Sequence, residues 1–464
     1  MKISEQWLRE WANPDISSEA LGHQLTMAGL EVDSIDALPA APEKVVVGRV
    51  LELKAHPNAD KLRICSVDIG ADEPLSIVCG ASNVVVGGVY PVATIGAVLP
   101  GNFKIKQSKL RGEPSFGMLC SASELGLEAQ SEGLYSLDDN AQPGVAIAEV
   151  ICFTDTVIDV DLTPNRADCF SIRGVARELA AANSLELTTP AIIPVAAGSK
   201  AAVNVSLQAG AAAPLFAARV VTGIDSLALT PVWLRERLRR AGIRPIHPVV
   251  DVTNYVMLEL GQPMHGYDLS KIEGDMAVRF AKAGEKLQVL GGDELILADT
   301  DLVVSDAAGA VAFAGVIGGE RTAVEGGTVD VLFEAAFFAP DALAGKARGY
   351  GLHTDSSLRF ERGVDFSNTE AALERATALL LDIAGGTPGP VAVERLEAEL
   401  PKRPAVLLRR AKLDSLLGIS VPDADVLRMF TALGMQIETI KEGWHITPPC
   451  ARFDISIEED LIEE

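Results

Sequence analysis

The sequence predicts a multidomain α/β protein: a split N-terminal α/β domain with a small β-barrel inserted in it, a mixed α/β domain, and a partial winged-helix-like C-terminal domain. Three observations carry this. The chain has 464 residues, and at roughly 150 residues per domain that is room for about three domains. Its 48% apolar and 22% charged content supplies packed cores and excludes a disordered or collagen-like chain. The hydrophobic pattern also switches from helical periodicity to short β-rich runs and back along the sequence.

Composition narrows the function classes. No apolar run reaches the ~18 residues that cross a bilayer, and the opening MKISEQWLREW is polar where an export signal needs an apolar stretch. The expectation is a cytoplasmic protein with no membrane partner. The six cysteines, at 65, 79, 120, 152, 169 and 450, form no CxxC pair, which suits reduced thiols better than a disulfide framework or zinc site. The net charge of −24 argues against a uniformly basic nucleic-acid binder, so any RNA contact must be local.

Residues 1–40 open the N-terminal α/β domain with two short helices. Ser4 can cap EQWLREW, Pro14 breaks the run, and the Ser17–Ser18 pair can cap the next. Residues 41–150 read as a barrel: VVVGRVLEL, LRICSVDI, LSIVCG and YPVATIG alternate with the turn-rich HPNAD, GADEP and VLPGN. From Lys44 to Arg111 nine bases face five acids, a net +4 inside an acidic chain. Residues 151–200 return to the first domain through the strand TVIDVDLT and the helix of SIRGVARELAAAN. Residues 205–398 form the mixed α/β domain. Residues 401–464 hold two helical runs and a hairpin turning at Lys441–Gly443, the winged-helix-like unit, which ends inside an acidic helical pattern.

The barrel strings HPNADKLRICSVDIG, IVCGASNV and FKIKQSKLRGEPSFGMLCSASELGL resemble the OB-fold module of several tRNA-binding proteins, whose groove accepts oligonucleotides. Farther on, HPVVDVTNYVMLELGQPMHGYDL, AGVIGGE, VLFEAAFF and GLHTDSSLRFERGVD follow in order. With the barrel and the closing RFDISIEEDLIEE, these strings resemble the beta subunit of bacterial phenylalanyl-tRNA synthetase over essentially the whole chain. That family's chain continues well past residue 464, so an N-terminal portion is expected.

The resemblance implies an α2β2 assembly with an alpha subunit that activates phenylalanine with ATP and transfers it to tRNA(Phe). For this chain it implies an editing pocket, in the mixed α/β domain, that hydrolyses mischarged tyrosyl-tRNA. Glu334 stands alone among apolar residues in VLFEAAFF, and a buried carboxylate needs a partner; a ligand phenol could be that partner, as could a structural arginine or backbone N–H groups. The family pattern puts His265, Glu334 and Thr354 in catalytic roles, and Thr253, Asn254, Gly315, Gly318 and Ser356 around the substrate. His265, between Pro and Gly neighbours in QPMHGYD, reads as a loop imidazole able to position water. Gly315, Gly318 and Gly319 allow close approach of a ligand. Thr253, Asn254 and Thr354 offer hydrogen bonds to the ester, or merely helix caps. Ser356 stands where the family usually has Ala, as does Gly266.

The family also implies a magnesium ion shared with the alpha subunit, held at the matching positions Asp454, Asp460, Glu463 and Glu464. Hard oxygen donors suit that ion, although an acidic helix face is more often simply solvated. The arginines 235, 237, 239, 240 and 244 of PVWLRERLRRAGIRP could guide a tRNA acceptor end. A noncatalytic scaffold for tRNA or proteins is the alternative reading of the chain, and a free-standing metal-dependent hydrolase is a second.

Overall fold

The computed structural model describes all residues 1–464. The chain divides into two compact units, one comprising residues 1–35, 157–230 and 237–464, the other residues 36–156 and 231–236. No helix is long and apolar enough to cross a membrane.

In the second unit, five antiparallel strands curl into a nearly closed barrel in the order Gly117–Leu119, Val89–Thr94, Val45–Ala55, Arg63–Asp68, Leu75–Cys79. Closure is made across the two ends of that order, where Phe116 N donates to Ser76 O at 2.9 Å and Val78 N donates to Ser115 Oγ at 3.1 Å. The interior is filled by the inward residues of alternate strands, among them Val50, Cys65, Val67, Ile77 and Val92, which is what period-two patterning dictates once one face is buried.

The first unit opens with helices Glu5–Trp11 and Ser18–Met27, whose first turns are capped by the hydroxyls of Ser4 and Ser17. Two short strands, Lys2–Ser4 and Glu31–Ala37, flank the strand Thr156–Asp161 in a three-stranded sheet. The sequence reading missed both. KIS is too short to show a period, and Glu31–Ala37, with no fully buried residue and only Val32, Ser34 and Ile35 half-buried, has no apolar alternation to read.

The larger part of this unit is two stacked sheets. One is antiparallel and four-stranded, in the order Met264–Asp268, Val331–Phe337, Leu215–Thr222, Thr387–Arg395; the other is five-stranded and runs Val205–Leu207, Met276–Phe280, Leu302–Ser305, Ala310–Phe313, Ile317–Gly318. Their facing surfaces share one core that includes Phe216, Val220, Tyr267, Val278, Val304 and Leu332. Helices Pro248–Leu260 and Thr369–Ala384 pack on the other face of the four-stranded sheet. Every residue of Val331–Phe337 is buried, so that strand is covered on both sides, and burial of side chains this large stabilises the stack by about 1.5–3 kcal/mol each. The chain closes with the sheet Val406–Arg409, Gly443–Thr447, Gln436–Thr439 around a fully buried Trp444, and with helices Arg410–Leu417, Asp423–Ala432 and Glu458–Glu463.

Gly174, in the helix Ile172–Asn183, is required by close approach. A Cβ there would lie 1.9 Å from the carbonyl oxygen of Asp168, and Gly174 N donates to the capping Ser171 Oγ at 3.0 Å. Gly174→Ala is expected to destabilise the unit by roughly 2–3 kcal/mol through overpacking, read as a lowered urea midpoint; an unchanged midpoint would show that the helix start can shift away.

Candidate functional site

Glu334 lies at the centre of Val331–Phe337 and points into the space between the two sheets, paired in register with Ala218 on one side and His265 on the other. It is 7% exposed. Its Oε2 accepts a hydrogen bond from the Tyr267 hydroxyl, and no cation pairs with it. Burial without a counter-charge pushes its carboxyl up to about 7, with the Tyr267 hydrogen bond acting in the opposite direction. The sequence left open whether an arginine, backbone N–H groups or a ligand hydroxyl answers this acid. The structure supplies a different answer, a phenol of the chain itself.

His265 and Tyr267 sit two residues apart on the strand Met264–Asp268 and therefore share a face. Their rings meet edge to face at 4.5 Å. Burial holds the imidazole down to about 4, so at neutral pH the ring is uncharged. Its Nε2 is shut off from solvent and has no hydrogen-bond partner. The expected loop around His265 is thus a strand: Pro263 and Gly266 suggested a turn, but pairing with Val331–Phe337 overrides that local signal.

The glycines shape the space beside this ring. A Cβ on Gly318 would lie 2.3 Å from His265 Cε1, so only glycine lets the imidazole occupy its place. Gly315 has φ +70°, and a Cβ on it would come within 2.6 Å of Leu343 Cδ1. The Gly315–Val316 backbone is tied to the start of the helix Asp355–Phe360, because Ser356 Oγ donates to Gly315 O at 3.0 Å and Thr354 Oγ1 donates to Val316 O at 2.8 Å.

Two expectations change at this point. The Thr354 hydroxyl also accepts from Ser357 N at 3.0 Å in a capping box, so it caps the helix while donating to the Val316 carbonyl. Ser356 likewise aims its hydroxyl at backbone. Thr253 and Asn254 lie on Pro248–Leu260, which packs on the opposite face of the sheet: the missing Cβ of Gly266 would meet Val249 of that helix at 2.6 Å. Thr253 Oγ1 donates within its own helix, to Val250 O at 2.8 Å. Neither is hydrogen-bonded to the Glu334 carboxylate. Tyr267, which the sequence reading passed over, is brought there; reading MHGYD with period two would have set it beside His265.

Asp460, Glu463 and Glu464 lie on or at the end of the expected closing helix, Glu458–Glu463, and the four C-terminal carboxylates have the following partners. Arg452, 2% exposed, bonds both oxygens of Asp454 at 2.8 and 2.9 Å and bonds Glu464 as well. Asp460 turns to the backbone N–H groups of Ser456 and Ile457 at 2.8 and 2.9 Å, at the start of its own helix. Glu463 and Glu464 together line a cavity of about 650 Å³ with Arg166, Glu178 and Arg428. Magnesium needs oxygens converging octahedrally at about 2.0–2.1 Å, and a guanidinium stands between two of these four. In this conformation they do not fit that ion.

Of the arginines after Val232, Arg244 is exposed, while Arg235 and Arg237 are committed within the chain. Arg235 lies 4.7 Å from the Tyr135 ring centroid and bonds Ser136 O, while Arg237 lies 5.0 Å from that of Trp7 and bonds Tyr255 at 3.0 Å. That helix does not present a free basic face. On the barrel, a cavity of about 600 Å³ is lined by Lys104, Lys106, Met118 and Ser121, with Phe103 at its edge 56% exposed.

Residues 45–146 match the family described as a putative tRNA binding domain, residues 212–385 the B3/4 domain, and residues 406–464 the tRNA synthetase B5 domain. A barrel of the first kind, joined to the two-sheet domain and a B5 domain, defines the class as a tRNA synthetase component. The chain is 54% identical over all 464 residues to the phenylalanine–tRNA ligase beta subunit of Vibrio cholerae, covering 58% of that protein, and 52% identical to that of Methylococcus capsulatus, covering 59% of it. It is similar along its whole length to phenylalanine–tRNA ligase beta subunits, and it spans a little under three fifths of the length of these curated relatives. A solved N-terminal fragment of the phenylalanyl-tRNA synthetase beta subunit from Pyrococcus horikoshii aligns across 100% of this chain and 97% of its own at 13% identity and TM-score 0.40, a likeness too distant to bear on the arrangement of domains.

Two outcomes follow from this geometry. The carboxyl of Glu334 rises from an ordinary 4.5 to about 7 on folding, so its share of stability is intact below pH 4.5 and is lost as pH climbs through 7. The loss is roughly 3 kcal/mol at 1.36 kcal/mol per unit. In urea denaturation, Glu334→Gln is expected to remove this downward slope between pH 5 and 8, and equal slopes in both proteins would contradict the burial. Arg452→Gln, which strands Asp454 and Glu464, is expected to cost about 3 kcal/mol or more; a loss under about 0.5 kcal/mol would show the pair to be solvated.

Proposed function

We propose that this chain is the proofreading and tRNA-engaging part of a phenylalanine–tRNA ligase beta subunit. It works with an alpha subunit in an α2β2 enzyme that charges tRNA(Phe) with phenylalanine at the expense of ATP, and the space between the two sheets hydrolyses tyrosyl-tRNA(Phe). The finer domain reading belongs to this proposal: a split N-terminal α/β domain, an OB-fold barrel whose Lys104–Lys106 side meets RNA, an editing domain, and a winged-helix-like domain. ATP and magnesium enter at the charging step of the assembled enzyme, and no step here is routed through the C-terminal carboxylates.

The observation that carries the proposal is a buried carboxylate with no counter-ion, satisfied by a single phenol. Tyrosine differs from phenylalanine by one hydroxyl, and a site whose buried polar group must be hydrogen-bonded can reject the analogue lacking that hydroxyl by ~10⁴ or more. With one oxygen held by Tyr267, the other is the acceptor for a substrate phenol. Hydrolysis then requires a water oxygen to bond to the ester carbonyl carbon and the bond from that carbon to the ribose oxygen to break, with the water's protons ending on the new carboxylic acid and the freed ribose hydroxyl. His265, neutral at this pH, serves here as a hydrogen-bonding guide for that water; with its pKa near 4 it is too weak a base to deprotonate it outright.

The test is deacylation of tyrosyl-tRNA(Phe) by the intact α2β2 enzyme. Glu334→Ala is expected to slow hydrolysis by about 100-fold or more and His265→Ala by about 10-fold or more, within the range of lost transition-state and positioning contacts. Undiminished hydrolysis in Glu334→Ala would remove the role given to that carboxylate, and no hydrolysis by the unaltered enzyme would favour a noncatalytic scaffold.

A further inference from the structure

Resting on the editing reading above, we propose that Tyr267 is the positioning residue of the site: its hydroxyl fixes Oε2 of Glu334 so that Oε1 is presented, as an anion, to the side chain of a bound tyrosyl ester.

The surroundings of the carboxylate are mostly apolar. On its own strand the residues of the same face are Leu332 and Ala336, and from Leu215–Thr222 they are Phe216, Ala218 and Val220. Arg219, the nearest cation in register, points to the other face, where it bonds Glu374 and the carbonyls of Gly389 and Val195. The five-stranded sheet contributes aliphatic residues, among them Val278, Val304 and Val311. Only Met264–Asp268 brings titratable groups, Tyr267 and His265, and the imidazole there is uncharged. The ionised form of Glu334 is therefore held by one donor, the Tyr267 hydroxyl.

That donor is itself immobile. Tyr267 is fully buried, its ring is seated in the core between the sheets, and its edge is set against His265. A carboxylate offers about four lone-pair sites; Tyr267 uses one of them and fixes the plane of the group. Remove the hydroxyl and two things follow. The carboxyl loses the one interaction that opposes burial, so it retains its proton to higher pH. It also loses the contact that chooses its rotamer, so the acceptor oxygen is no longer aimed.

The experiment uses the α2β2 enzyme and measures single-turnover hydrolysis of tyrosyl-tRNA(Phe) from pH 6 to 9.5 for three forms: unaltered, Tyr267→Phe, and Tyr267 replaced by 3-fluorotyrosine. Tyr267→Phe is expected to hydrolyse about tenfold more slowly at pH 7, with the rising limb of its pH profile moved up by about one unit and much of the rate recovered at the alkaline end. The fluorinated phenol, a stronger donor in an unchanged ring, should move that limb downward, and it keeps the test open if Tyr267→Phe folds poorly. A pH profile unmoved in both forms reduces Tyr267 to packing and overturns the proposal. Faster hydrolysis by Tyr267→Phe also overturns it, because the internal phenol would then be competing with the substrate's. Glu334→Ala measured alongside separates the two levels: full activity in that variant removes the role given to Glu334 in the editing reading, whereas loss of activity there with no effect at Tyr267 removes only the role given to Tyr267.

Discussion

The hydrogen bond from Tyr267 to Glu334 is the constraint around which the two-sheet domain is organised chemically. It places one ionisable acid in a core otherwise made of aliphatic and aromatic side chains, at a position in the Val331–Phe337 strand where both neighbours in register belong to the same sheet. Such an acid is a liability for folding, since an apolar side chain of similar size would cost nothing to bury. A site meant to recognise a hydroxyl uses that same property, because the group remains short of hydrogen bonds until a ligand supplies one. The glycines at 315 and 318 fit this picture. They give up side-chain packing so that the imidazole of His265 and the Ser356-tethered backbone can crowd the same space.

Neighbouring charges are handled differently. Arg166 is bonded by Asp168 and Glu178, and Arg452 by Asp454 and Glu464, so acids near the C-terminal helix are answered by arginines within the chain. The contrast is informative. Other buried acids are either paired with a cation or given several neutral donors, as Asp251 is by the Thr230 hydroxyl and the Ile246 N–H; between the sheets Glu334 has a single phenol. This asymmetry marks Glu334 as the functional acid more strongly than its position in an apolar string does.

The sequence made local structure visible wherever the signal was local. Ser4 and Ser17 cap the helices they precede, and the hairpin near Lys441 turns where Gly443 permits it. Glu334 was conspicuous because a charge in VLFEAAFF has no local explanation. What escaped the sequence was every partner set by long-range pairing. Tyr267 is 67 residues from Glu334 and looked like one more aromatic. Arg452 preceded the acidic tail without announcing that it would bridge Asp454 and Glu464, and Pro and Gly around His265 disguised a strand. Thr253 and Asn254 lie across the sheet because helix packing, which no spacing rule reveals, decides which face of a sheet a helix covers.

The account stands on the protonation of one carboxyl. Glutamate labelled with ¹³C at Cδ, with the Glu334 resonance assigned by its disappearance in Glu334→Gln, gives that carboxyl's titration directly by NMR in the folded chain. A midpoint near 7 is the expected result; a midpoint near the ordinary 4.5 would mean that water or a cation reaches the group and that the space between the sheets is not built to sense a phenol.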